Sequence, residues 1–510
     1  MLFNSYIFIL FFLPLTIVGY FILNKYLYGK KGTIGLWWLF FMSLWFYGYS
    51  NSKYLVLITG SILVNYFITC LINRVKEKNN HRKAKGILIV GILFNLALLF
   101  YFKYYDFFIE NMNALFHQRW TLKNIMLPLG ISFFTFQQVS YLVDCYKSKK
   151  KEQYHFIEYA SYVTFFPQLV AGPIVMHSEL IPQLQNRQKK KINYENLGKG
   201  LYAFSLGLAK KVLIADSLSQ VVNVGFGNLS ALNSISAMVV MLSYTMQIYF
   251  DFSGYCDMAI GIASMFNIWL PINFNSPYKS GSISEFWKRW HITLTRFFTQ
   301  YVYIPLGGNR KGAVRTYLNT GMVFLLSGLW HGANWTFILW GILHGMCMII
   351  EKVFTDIGLT EKCRNWVIKR NIVIQKVVRG CQISITFLLV NCFWVLFRSS
   401  SIEQAGYFFK RLLSGGEMTV LPAITEKVNK LVEVRIAGRF GLNSIMAVYP
   451  AVPCFFILVI LLFGVFFMSN TQEKMQMEKY NWKRSLITVG ILVWCVISLS
   501  SISEFLYFNF

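Results

Sequence analysis

The sequence predicts an all-α, polytopic transmembrane helical protein, and three observations predict it. Hydrophobic residues make up 55% of the 510-residue chain and charged residues only 14%, for a mean hydropathy of +0.46. A soluble domain carries about a quarter charged residues. Long apolar stretches recur from end to end, and basic residues, which leave a net charge of +27, collect between them.

The elements follow in order. Apolar stretches run at 5–23, 33–49, 54–72, 86–102, 126–143, 156–174, 198–214, 234–268, 317–350, 381–397, 451–468 and 485–502. Most approach or exceed the ~17–20 residues of a spanning helix, and 234–268 and 317–350 have length for two passes each. The count predicts about eleven spanning helices plus re-entrant and interfacial pieces, in one membrane-embedded domain over residues 1–510. The first stretch lacks a basic leader and a small-residue cleavage site, so it reads as a retained helix.

Between the stretches lie Lys25/Lys30/Lys31, Arg74 to Lys85, Lys147 to Lys151, Arg187 to Lys191, Lys288 to Arg315, Lys362 to Arg379 and Lys474 to Arg484. Cytoplasmic loops of membrane proteins are enriched in such residues, which accounts for the charge without a nucleic-acid partner. Alternation from an external N-terminus puts the first three of these loops and the 472–484 loop in the cytoplasm and the C-terminus outside, while the middle loops require even-numbered passes or re-entrant pairs. It also puts 105–124 and 399–448 outside, the latter either a plain loop or a contact for an extracytoplasmic partner. The nine cysteines are scattered without a C-x-x-C pair and offer no disulfide framework or zinc site.

Two regions depart from straight helices. Phe165 to Ile174 carries Pro167, Gly172 and Pro173 inside apolar sequence, and is expected to enter, break and return. Non-helical backbone at that depth must be buried in protein or line a cavity. The region 271–312 has similar breaks at Asn273, Asn275, Pro277 and Pro305 to Gly308. Between them, Trp287, Trp290, Leu294, Phe297 and Phe298 oppose Lys288, Arg289 and Arg296 at helical spacing, which predicts one amphipathic helix lying in the cytoplasmic interface. Its basic residues suit the phosphates of an acyl donor or, equally, anionic lipid headgroups.

An ionisable group inside a membrane segment costs at least a few kcal/mol, so each is a functional candidate. His331, in Ser327-Gly328-Leu329-Trp330-His331-Gly332-Ala333-Asn334-Trp335, sits at the middle of a stretch whose two ends are basic. A chain that enters and leaves on one side must turn near Gly332. About fifteen helical residues then carry His331 roughly 22 Å from the basic ends. An imidazole of near-neutral pKa there suits a general base acting on a hydroxyl. Asn334, or the indole N–H of Trp330 or Trp335, is placed to donate to an oxyanion. His291, beside Trp290, reads either as an interface residue or as part of a site; His344 reads as structural. Asp251 and Asp257 form an intramembrane pair, with Gly254 positioned to break the helix between them. They either orient a histidine or bind backbone at that break.

Four blocks resemble the membrane-bound O-acyltransferase superfamily, in its bacterial branch containing the alginate O-acetylase membrane subunit. They are Leu127 to Gln137, Phe166 to Ile174, Phe286-Trp287-Lys288-Arg289-Trp290-His291-Ile292-Thr293-Leu294, and Gly328-Leu329-Trp330-His331-Gly332. Asp251 to Gly254, Tyr303 to Gly308 and the closing Phe505 to Phe510 add to it. The resemblance implies helices ringed about a thinned, funnel-like centre, with His331 as the catalytic histidine and His291 as the branch's second one. It implies passage of an acyl group, acetyl from acetyl-CoA, from the cytoplasm toward a polysaccharide, with a separate extracytoplasmic acyltransferase as partner. The related branch that exports D-alanine for teichoic acids, and draws on a carrier protein, shares the histidine motif. Two readings compete: a secondary transporter relaying protons through Asp251 and Asp257, and a silent scaffold. A transporter is expected to show repeat-related broken helices, and the sequence has no such symmetry.

Overall fold

The structure, a computed structural model, describes residues 1–26, 33–148, 154–416, 419–477, 481–499 and 505–506. Lys30, Lys31, Lys149 to Lys151 and Tyr507 to Phe510, which the sequence reading used, lie outside the described residues. Within them the secondary structure is helical, with no strand. Six helices are long and apolar enough to cross a membrane: Phe8–Tyr26, Lys53–Glu77, His81–Phe116, Ser234–Met265, Trp335–Asp356 and Ile372–Arg398. Ile34–Gly48 and Val452–Phe467 are apolar but shorter. These helices bear out the expected polytopic helical membrane protein, and part of the apolar sequence is packed inside the protein. Ser234–Met265 is one unbroken 32-residue helix, 78% buried within the protein over its apolar window, where two passes were expected. Gly254 does not interrupt it.

The chain forms two compact units, residues 1–208, 255–272 and 475–510 in the first, and 209–254 and 273–474 in the second. In the first unit, Asn65 and Asn95 exchange side-chain hydrogen bonds at 3.2 and 2.6 Å between two spanning helices. Amide pairs of this kind satisfy polar groups where water is absent. The Pro167 region is broken as its composition predicts. A turn over Phe166–Leu169 is followed by non-helical backbone from 170 to 176, all of it buried in protein. Its carbonyls find partners, Tyr162 Oη donating to Val175 O at 3.0 Å and Gly172 N to Gln168 O at 3.1 Å, as backbone buried away from water must.

In the second unit, a helical hairpin dominates. Ala313–His331 ends at Gly332, and Trp335–Asp356 begins after Asn334. The two arms cross on glycines. A Cβ on Gly328 would lie 2.4 Å from Phe337 O, and one on Gly341 2.4 Å from Phe324 O. Small residues allow this backbone approach. Gly332 is extended, at φ −166°, so what requires glycine there is space: a Cβ would fall 2.2 Å from the Phe337 ring. The segment 399–448, read from the sequence as a plain loop or a partner contact, holds four short α-helices, Ile402–Leu413, Pro422–Asn429, Val432–Ala437 and Asn443–Val448.

Candidate active site

The second unit brings the two singled-out histidines together. His331, on the last residue of its helix, and His291 have ring centroids 6.4 Å apart, and both are buried. Aromatic rings enclose them. Trp330, Trp340 and Phe397 lie 5.0, 5.0 and 5.2 Å from the His331 ring, and Phe252 lies 4.8 Å from His291.

His291 is reached by a route that helical periodicity hides. The expected single amphipathic helix is two short ones, Ile283–Trp287 and Ile292–Phe298, with His291 between them in the left-handed region at φ 45°, ψ 51°. That conformation is uncommon for a non-glycine residue and persists where surroundings over-determine it. Asn273 supplies the constraint. Its backbone carbonyl accepts from Ile292 N at 3.0 Å, and its Oδ1 accepts from Thr293 N at 3.3 Å and Thr293 Oγ1 at 3.0 Å. The same Oδ1 faces His291 Nδ1 at 3.1 Å. A backbone N–H can only donate, so the atom it meets is the amide oxygen, and His291 Nδ1 must carry the proton. The lone pair of His291 is thereby assigned to Nε2. Burial pushes the imidazole down to about 3, which keeps the ring neutral. The apolar side of this region is also not a lipid-facing surface, since Trp287, Trp290, Leu294, Phe297 and Phe298 are all buried.

The remaining candidates divide. Trp330 is at the site. Asn334, expected among the oxyanion donors, is corrected to a helix cap: its Oδ1 accepts from Thr336 N at 2.9 Å and its Nδ2 donates to Ser400 O at 2.9 Å. Trp335 is exposed. Asp251 pairs with Lys211 Nζ at 2.8 Å, and Lys211 also meets Asp216 at 2.9 Å. Asp257 falls in the other unit, on the same continuous helix. Of the donor-binding candidates, Arg289 is engaged by Glu285 through Nε and Nη2 and by Asn275 O through Nη1. That leaves its guanidinium little to offer a phosphate. Lys288 is exposed and Arg296 half-buried.

Two residues escaped the sequence, and a third, His344, keeps its structural reading. Asn273 was visible only as a polar residue at a break. Trp340 Nε1 is buried and has no hydrogen-bond partner among the described residues, although its ring borders His331. His344, beyond it, accepts from Trp287 Nε1 at 3.2 Å. A buried polar atom in an apolar segment is the signal all three share. Alongside them lies a cavity of about 570 Å³, lined by Trp287, Thr295, Thr316, Thr320, Ser327 and Glu351 among others. Ser327 precedes His331 by one helical turn, so the cavity reaches the face that carries the imidazole.

Comparison with known proteins identifies the family. The model of the MBOAT, membrane-bound O-acyltransferase family matches residues 21–395. The chain is 40% identical to a peptidoglycan O-acetyltransferase of Helicobacter pylori, over 100% of this chain and 98% of that one. It is 37% identical to a probable alginate O-acetylase AlgI of Pseudomonas aeruginosa, covering 82% of this chain and 75% of that one. A teichoic acid D-alanyltransferase of Bacillus subtilis is 27% identical, over 45% of this chain and 60% of its own. A family model that matches most of the chain, with full-length identity to an O-acetyltransferase, shows that the protein belongs to the membrane-bound O-acyltransferase family and is an O-acyltransferase.

Proposed function

We propose that the protein passes an acetyl group from a cytoplasmic thioester, acetyl-CoA, to a hydroxyl of an exported cell-envelope polysaccharide, with peptidoglycan preferred over alginate. The observation that carries this is the pair of buried imidazoles, 6.4 Å apart, with a hydroxyl-lined cavity that reaches Ser327, one helical turn before His331. The donor's pantetheine arm occupies the cavity and presents its carbonyl near Ser327. His331 removes the proton of the acceptor hydroxyl as its oxygen attacks that carbonyl. The oxyanion is met by the indole N–H of Trp340 or Trp330. Collapse expels the thiolate, which takes up the proton His331 gained. His291 stays neutral, and its Nε2 lone pair orients a proton on substrate or on His331.

Full-length similarity to a peptidoglycan O-acetyltransferase supports that acceptor, and the weaker, partial match to a D-alanyltransferase places D-alanyl transfer second. An extracytoplasmic acyltransferase is the expected partner, and where transfer runs through it, its own hydroxyl is the acceptor at His331 and it carries the acetyl group on to the glycan. Alternation of the basic loops supports a cell-membrane location with both termini outside. The test is alkali-labile acetate on purified cell-wall glycan. A strain carrying only His331→Ala should lose it while the protein remains in the membrane fraction; wild-type acetate would sink the proposal.

A further inference from the structure

A second cavity of about 570 Å³ lies wholly within the first unit, and acyl transfer does not explain it. Lys189, Lys191, Lys199, Asn193, Asn267 and Trp269 line it. Residues 186–199 carry five basic side chains against one acid, Glu195, a net charge of +4. The wall is a built structure. Asn267, itself left-handed at φ 60° and 9% exposed, donates through Nδ2 to the carbonyls of both Lys189 and Lys191 at 2.9 and 2.7 Å. Its Oδ1 accepts from Asn196 Nδ2 at 2.9 Å. Gln183 Oε1 receives Lys189 Nζ at 2.5 Å and Trp269 N at 2.9 Å. The lysine loop is thus pinned to the 264–269 turn, and three of its cations, Lys189, Lys191 and Lys199, line one cavity.

Those cations are under-compensated. Lys199 meets Glu195 at 2.8 Å, Lys189 meets only a neutral amide, and Lys191 is exposed. Burial holds Lys189 below the ordinary lysine value. An anion in the cavity would reverse that penalty. The rim is amphipathic, with Ile192, Tyr194 and Trp269 exposed at 51%, 79% and 47%. Exposed Trp and Tyr next to lysine favour the level of lipid headgroups.

We propose that this cavity binds a phosphate ester, the headgroup of an anionic membrane phospholipid. The proposal is independent of the acyl-transfer reading, and its failure leaves that reading intact. The test uses the full-length protein in detergent, titrated with dioctanoyl phosphatidylglycerol and followed by native mass spectrometry. Dioctanoyl phosphatidylcholine, coenzyme A and inorganic phosphate are titrated in parallel. Phosphatidylglycerol should bind in preference to phosphatidylcholine. Lys191→Gln, at an exposed position that does not threaten folding, should weaken it about fivefold, and Lys191→Arg should restore it. The triple variant Lys189→Gln/Lys191→Gln/Lys199→Gln should lose the preference for the anionic lipid. Unchanged phosphatidylglycerol binding in the triple variant would overturn the site. Coenzyme A or inorganic phosphate competing for the cavity better than the lipid would overturn the lipid assignment.

Discussion

His331 is buried among three aromatic rings, an environment in which a proton taken from a substrate cannot be handed to bulk water. Replacing it with alanine is therefore expected to lower acetyl transfer by about 10²-fold or more, read as product formation by protein of normal abundance. Trp340→Phe keeps the ring and removes only the buried N–H. It should lower kcat by about 10²-fold with KM little changed if that N–H meets the oxyanion; an unchanged kcat would return the role to Trp330. His291 sets a pH limit on stability. Its folded value is about 3 against 6.5 ordinarily, so between those values the unfolded chain holds a proton that the folded chain does not. Stability is thus complete above about pH 6.5 and is lost progressively as pH falls toward 3. The melting temperature of the solubilised protein should follow that window, and His291→Gln should flatten it.

The helical hairpin was legible because its signals are local: an apolar stretch of double length, basic ends, and a His-Gly turn midway. Its glycine crossing was not, because the close approach of Gly328 to Phe337 O involves residues on opposite arms. Gly328→Ala must push backbone against backbone, at a cost of about 1–3 kcal/mol. It should lower both melting temperature and activity, whereas Gly321→Ala, whose added Cβ meets nothing nearer than 3.8 Å, should be tolerated. The Trp287 to Phe298 region was misread as one helix for a related reason. Its apolar spacing is helical, but Asn273, eighteen residues before His291, turns the chain into the left-handed region there. Periodicity reports which side is buried and says nothing of a constraint imposed from a distant loop. The same holds for Asp251, whose carboxylate was visible in sequence while its partner Lys211 lay forty residues away.

At the scale of the molecule, hydropathy identified a polytopic membrane protein but did not separate the stretches that face lipid from those that face protein, since both kinds of burial select the same residues. Orientation is the corresponding test. Cys363 is exposed and lies in a basic loop that the charge pattern assigns to the cytoplasm. As the sole cysteine, it should react with a membrane-impermeant maleimide only after permeabilisation; labelling of intact cells would invert the topology. The buried helix Ser234–Met265 carries a further consequence, for biogenesis. The ribosome delivers Lys211 forty residues before Asp251, so the carboxylate's counter-ion is already present when it enters the bilayer. Thr245, on the same helix, hydrogen-bonds Asn391, which emerges 146 residues later. During that interval Asp251 is paired, yet the helix still lacks much of its protein surround. Insertion is therefore expected to be staged, with this helix shielded by the insertion machinery until the C-terminal helices arrive.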